Sequence, residues 1–185
     1  MDTSARPTVI VLASGRGERF RASGGTVHKL LALLGGKPVL EHTLAAVRAS
    51  GLRWHLEDAG HPGMGDSIAA AVRATVDADG WLVLPADLPL VRATTLRQVA
   101  DVLAGASAAV QPTYQGERGH PVGFPATCRD DLLALGGPRG AASVLQALRL
   151  EGLAVDLPVD DAGVLADIDT LDDLARAERL LSSWR

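Results

Sequence analysis

The 185-residue sequence predicts an α/β fold of three layers around a mostly parallel sheet, and three observations lead there. Apolar runs such as 9–12 and 81–84 read as strands buried on both faces. Alanine-rich segments with apolar residues at helical spacing lie between such runs, so strands alternate with helices and parallel pairing follows. Hydrophobic residues make up 47% of the chain and the net charge is −4, which excludes disorder and a general affinity for nucleic acid.

The length suits one domain spanning 1–185. Cys128 has no second cysteine to pair with, and Met1-Asp2-Thr3-Ser4 has neither the cationic start nor the apolar core of a secretory signal. No apolar run reaches the length of a bilayer. The expectation is a soluble cytoplasmic protein with no membrane contact.

Taken in order, the first strand ends in Leu12-Ala13-Ser14-Gly15-Arg16-Gly17-Glu18-Arg19-Phe20, followed after a variable piece by Lys29-Leu30-Leu31. Gly15 and Gly17 permit a tight turn whose N–H groups can face an anion, and Arg16, Arg19 and Lys29 ring it with cations. This pattern suits a nucleoside triphosphate. It is not the dinucleotide fingerprint, because Phe20 stands at the third glycine, and it lacks the Gly-Lys-Ser/Thr ending of the P-loop. Lysine occurs only at 29 and 37 in an arginine-rich chain, which weakly supports a chemical role for Lys29 beside chance retention.

An extended piece over 30–34 turns at Gly35-Gly36, and Pro38 opens a helix to about 50 that Gly51 ends. A strand within 52–57 leads to the glycine-rich loop Gly63-Met64-Gly65-Asp66-Ser67 and a helix over 68–76, with Ser67 near its start as a cap, a ligand contact, or both. The buried strand 81–84 delivers Pro85-Ala86-Asp87-Leu88-Pro89. Ligands of open α/β sheets collect at such strand ends, so Asp87 is a candidate magnesium ligand; the alternative is a turn or a cap for the helix over 93–103.

A strand at 108–112 and a hairpin over 114–124 follow, the turn using Gly116 or Gly119, with Arg118 and His120 projecting on the open side of the sheet. His120 beside Pro121 reads equally as a structural residue. Gly136-Gly137-Pro138-Arg139-Gly140 precedes a helix over 141–150 and is either a third phosphate site or a turn. Strands at 155–159 and 164–168 lead to Asp167-Ile168-Asp169-Thr170, where Asp169 or Thr170 caps the last helix and Asp172-Asp173 suit its first turn. Asp167 or Asp169 could also be a second metal contact if this segment lies beside Asp87.

The first loop with Lys29, the Gly-Met-Gly-x-Ser loop, Asp87-Leu88-Pro89, Arg118-Gly119-His120-Pro121 and Asp167-Ile168-Asp169-Thr170 fall in an order that resembles the MobA-like NTP transferases, most closely the molybdenum cofactor cytidylyltransferases. The resemblance spans nearly the whole chain and implies a Rossmann-like nucleotidyltransferase fold. It implies that Leu12, Ala13, Ser14, Gly15, Arg16, Gly17, Arg19 and Lys29, with Gly65 and Ser67, bind the nucleotide. It further implies magnesium on Asp87 with Asp169, catalysis by Arg19, Lys29 and Asp87, and an acceptor facing Arg118 and His120. The implied reaction moves CMP from CTP to molybdopterin, and the product's consumer would be a molybdoenzyme or its chaperone.

Two features depart from that pattern. Relatives carry a further strand and helix before the Gly-Met-Gly loop, where 52–62 leaves room for one strand, so the sheet is expected to lack one strand–helix unit. Ser14 stands where the guanylyl branch has glycine, and the segment 21–28 is lengthened. Two alternatives stay open: transfer to a sugar phosphate or another phosphorylated metabolite, and a non-catalytic carrier of nucleotide or pterin.

Overall fold

Successive residues of the first strand enter different layers. The computed structural model describes residues 6–184, so the expectation for residues 1–4 lies outside it. In β1 (Thr8–Leu12), Val9 and Val11 pack into one helical layer while Ile10 and Leu12 pack into the other. In β5 (Gly80–Pro85), Leu82 and Leu84 join the first layer, and Trp81 and Val83 the second. The period-two alternation of a strand buried on both faces thus sets the three-layer architecture.

The central sheet runs β4 (Trp54–Glu57), β1, β5, β8 (Val122–Pro125), β6 (Ala109–Tyr114) and β7 (Glu117–Arg118), with β9 (Ala154–Pro158) pairing on β6. β4 and β5 are parallel to β1, and β9 to β6. β8 opposes β5 and β6, and β7 opposes β6 in a hairpin turning at Gln115-Gly116 with φ of 50° and 86°. β4 is the only strand between the helices α2 (Val39–Ser50) and α3 (Met64–Ala74), as the shortened stretch implied.

Helices α2, α4 (Ala93–Gly105) and α7 (Leu171–Ser183) cover one face; α3, α5 (Arg129–Leu133) and α6 (Ala142–Leu150) cover the other. α5 had no sequence signal beyond Asp130-Asp131, and Leu132 buries it in the core. α7 begins with a reciprocal cap in which Thr170 Oγ1 accepts from Asp173 N and Asp173 accepts from Thr170 N, which decides for Thr170 over Asp169.

Three expected elements differ. The piece 30–34 is not one extended segment: Lys29–Leu31 forms a 3-10 turn that His28 caps, and only β2 (Leu33–Leu34) pairs, with β3 (Lys37–Pro38). Helix α3 starts at Met64, so Ser67 lies in its first turn and is no cap. The strand expected at 164–168 is absent; Ala162–Leu165 is a 3-10 turn closed by Asp161, because Val164 must turn toward Gly119 and His120.

Candidate active site

The loop after β1 is held by the strands on either side: Ala13 N donates to Glu57 O at 2.8 Å and Ala86 N to Leu12 O at 3.0 Å. Gly17 turns at φ 63°, a left-handed conformation glycine adopts freely, and starts α1 (Glu18–Ala22). Gly15 faces open space, and its carbonyl receives a 2.7 Å hydrogen bond from His28 Nε2. That histidine also accepts from Leu30 N, so it ties the loop to the turn carrying Lys29.

Lys29 Nζ donates to Asp87 Oδ2 at 2.6 Å and to Asp169 Oδ1 at 2.8 Å, while Arg19 pairs with Asp169 Oδ2 at 2.6 Å. Ile168 N bonds Asp87 O, which draws the Asp167 to Asp169 segment against the end of β5. The Lys29 and Asp87 side chains are only 12% and 15% exposed, so solvent screens this pair little. Burial works to lower the Lys29 pKa, but Asp87 and Asp169 outweigh it and raise the value. One oxygen remains apart: Asp87 Oδ1 is buried and has no hydrogen-bond partner among the described residues.

Burial, and then the nearby carboxylates of Asp87, Asp169 and Asp173, raise the pKa of Asp167. Asp87 does not cap α4. Asp161 does, accepting from Arg92 N at 2.9 Å and Thr95 Oγ1 at 2.6 Å.

Two connected spaces meet at Lys29 and Asp87. The larger is an open cleft of about 970 Å³ reached by Arg16, Arg19, Arg118, His120, Asp167 and Asp169. The smaller, about 270 Å³, is a recess between the first loop and the start of α3, with Leu12, Leu30, Pro62, Met64, Pro85 and Pro138 as apolar walls. Its polar groups include Ser14, Ser67 and His61. Ser67 Oγ donates to Gly63 O and accepts from Ser14 Oγ, so these hydroxyls join the two loops.

Gly65 lies elsewhere. Its N–H donates to Gly137 O, and side chains at Gly63 or Gly65 would collide with the backbone of Gly137 or Gly136. Asp66 accepts from Gly137 N at 3.0 Å. These glycines therefore let two backbones touch, and Gly136-Gly137 braces α3.

Arg118 stands at the cleft with its guanidinium on Asp156, through Nε at 3.1 Å and Nη2 at 2.8 Å to Oδ2. Arg149 shares Asp156 Oδ1 and also holds Gln111. His120 lines the cleft; burial lowers its pKa, only partly offset by Asp87.

One cluster had not been anticipated. Glu57, at the end of β4, accepts from His61 Nε2 at 2.9 Å, His55 Nε2 at 3.3 Å and Ala59 N at 3.3 Å. Burial opposes its charge, but the two histidines and the backbone N–H hold its pKa below the usual glutamate value. The signal was His-x-Glu on one strand face followed by a histidine four residues on.

The family model of the MobA-like NTP transferase domain matches residues 45–153, more than half of the chain. The chain belongs to that family of nucleotidyltransferases. Among curated proteins it is 28% identical over 145 residues to the bifunctional protein GlmU of Aromatoleum aromaticum, covering 66% of this chain and 30% of that protein. GlmU of Xanthobacter autotrophicus is 32% identical over 171 residues, 76% of this chain and 36% of its own length. The chain spans about a third of the length of these curated relatives.

A nucleotidyl transferase from Methanothermobacter superimposes with TM-score 0.80 at 23% identity, covering 97% of this chain and 99% of that one. The molybdopterin-guanine dinucleotide biosynthesis protein A of Archaeoglobus fulgidus gives 0.58 at 23%, with 95% and 99% covered. Rv0371c of Mycobacterium tuberculosis, in complex with manganese, gives 0.69 at 24%, with 94% and 98% covered. At these identities the likeness establishes the fold.

Proposed function

We propose that this chain transfers CMP from CTP to the phosphate of molybdopterin and releases pyrophosphate. The observation that carries the catalytic part is the buried, unpartnered Oδ1 of Asp87, set where Lys29 and Asp169 converge at the junction of recess and cleft. Membership of the MobA-like family and the likeness in fold to a molybdopterin-guanine dinucleotide biosynthesis protein support the choice of acceptor.

These residues fit a divalent ion. Asp87 offers a free buried carboxylate oxygen and Asp169 a second carboxylate across the same ammonium. Among the described residues no three His, Cys, Asp or Glu side chains form a ready cage, so an ion held by Asp87 and Asp169 would need further oxygen ligands from outside the protein. Magnesium held there supplies charge neutralisation on the phosphate oxygens.

The nucleoside occupies the recess and the triphosphate lies along the N–H groups of Ser14 to Gly17. Arg16, Arg19 and Lys29 stabilise charge on the departing pyrophosphate. An oxygen of the acceptor phosphate attacks the α-phosphorus in line, and the bond from α-phosphorus to the bridging oxygen breaks. The acceptor phosphate is already ionised near neutral pH, so no general base is needed, and neutral His120 forms part of the acceptor wall without adding repulsive or attractive charge.

The testing experiment measures pyrophosphate release with magnesium and purified molybdopterin against CTP, GTP and ATP. Release with CTP alone supports the reading. Release only with a sugar phosphate or another phosphorylated metabolite replaces the acceptor, and nucleotide binding without release from any acceptor replaces the enzyme with a carrier.

A further inference from the structure

We propose that His61 reads the nucleobase, using its Nδ1 atom to accept a hydrogen bond from an exocyclic amino group. This rests on placing the nucleoside in the recess. His61 belongs to the wall of that recess, and its side chain is three-quarters buried. Its Nε2 is committed to Glu57 Oε1 at 2.9 Å, and the carboxylate, held in its charged form, can only accept. Nε2 is therefore the donor; in the Nε2–H tautomer Nδ1 has a lone pair, and no other described residue engages that atom.

The rest of the arrangement fixes that lone pair. Glu57 is buried and receives His55 and Ala59 N as well, while its own carbonyl receives Ala13 N from the first loop. His61 N donates to Ala59 O, which shapes the loop before Pro62. The carboxylate is thus a positioning group for the ring, and the ring shares a mostly apolar recess with the Ser14 and Ser67 hydroxyls. Apolar walls accept the faces of any planar base; a single fixed acceptor at the edge favours cytosine, which donates through its amino group, over uracil, whose carbonyl at the same position would face another lone pair.

The test is equilibrium binding of CTP, UTP and inorganic pyrophosphate, each with magnesium, to the wild type, His61→Leu and His61→Gln. The wild type should bind CTP about tenfold or more tightly than UTP, as expected of one discriminating hydrogen bond. His61→Leu should bring that ratio below about threefold with pyrophosphate affinity unchanged, and His61→Gln, which keeps an acceptor, should restore part of the preference. An unchanged ratio in a His61→Leu variant that still binds pyrophosphate overturns the assignment. Binding of pyrophosphate but of neither nucleotide by the wild type overturns the nucleoside placement itself, a distinguishable failure. Heteronuclear NMR of the imidazole is an independent readout: a proton on Nδ1 in the free protein contradicts the proposal.

Discussion

Two clusters of paired charges, one in the cleft and one reaching it only through Arg118, are finished to different degrees. Around Asp156, both carboxylate oxygens are taken: Oδ1 by Arg149 and Arg118, Oδ2 by Arg118 through two nitrogens. Around Asp87, Lys29 takes one oxygen and leaves the other buried without a partner among the described residues. A closed cluster ties β7, β9 and α6 together and asks for nothing more. An open cluster carries an unmet electrostatic demand, which a folded protein tolerates where a ligand will meet it.

Removing the open cluster should cost most. Asp87→Ala or Lys29→Ala is expected to lower turnover about a hundredfold or more, the scale of losing a contact to developing charge, with cooperative unfolding retained. Steady-state kinetics beside a thermal melt checks this. Near-normal turnover in both variants would erase the distinction between the clusters.

Lys29→Met sharpens the comparison further, because the ammonium now sits where a divalent ion would meet both carboxylates. Its removal should tighten manganese binding in the absence of nucleotide by about tenfold, following from the loss of a nearby positive charge, even as turnover falls. Paramagnetic resonance of free manganese reads this directly, and weaker binding would show that Lys29 supports the ion rather than preceding it.

A closed site can matter for stability alone. Asp161 is 1% exposed and accepts from Arg92 N, Thr95 Oγ1 and Gly163 N. Asp161→Ala should cost about 2–4 kcal/mol in denaturant unfolding, since it strands buried donors and removes a helix cap, with turnover per folded molecule unchanged. Arg118→Ala should do less: its pair is exposed, so acceptor KM should rise by no more than about fivefold with kcat unmoved.

The smallest effect tests the charge around Asp87. The folded-state pKa of Asp167 is raised above its ordinary value of 3.8, so its ionised form costs stability once pH exceeds that value. Asp167→Asn should raise Tm by about 1–3 °C at neutral pH and bring no gain below the carboxylate range. Glu57 has the opposite sign: its lowered pKa contributes stability above 4.5 that is lost as pH falls through the folded value.

The sequence carried the parts of this site that local rules govern. Two-sided burial of 9–12 and 81–84 revealed the sheet, and strand ends marked the first loop and Asp87, because ligands gather at that edge. The cap of α7 was legible as Asp169 or Thr170, and the reciprocal bond with Asp173, three residues on, selects Thr170. What stayed hidden depends on contacts across the chain. Gly65 looked like a ligand glycine, yet its missing side chain serves the close passage of Gly136, some seventy residues on. Glu57 could not be read as a ring holder until β4 and its following loop placed His55 and His61 on one carboxylate.

The most direct measurement is pyrophosphate release with magnesium, CTP and molybdopterin by the wild type and by Asp87→Asn, a near-isosteric change that removes the charge and replaces one acceptor oxygen with an amide NH2. The account predicts release by the wild type and a loss of about a hundredfold in the variant, with the melting temperature preserved. Equal release by the two proteins would contradict it, because the unpartnered oxygen at the centre of the cleft would then have no part in the reaction.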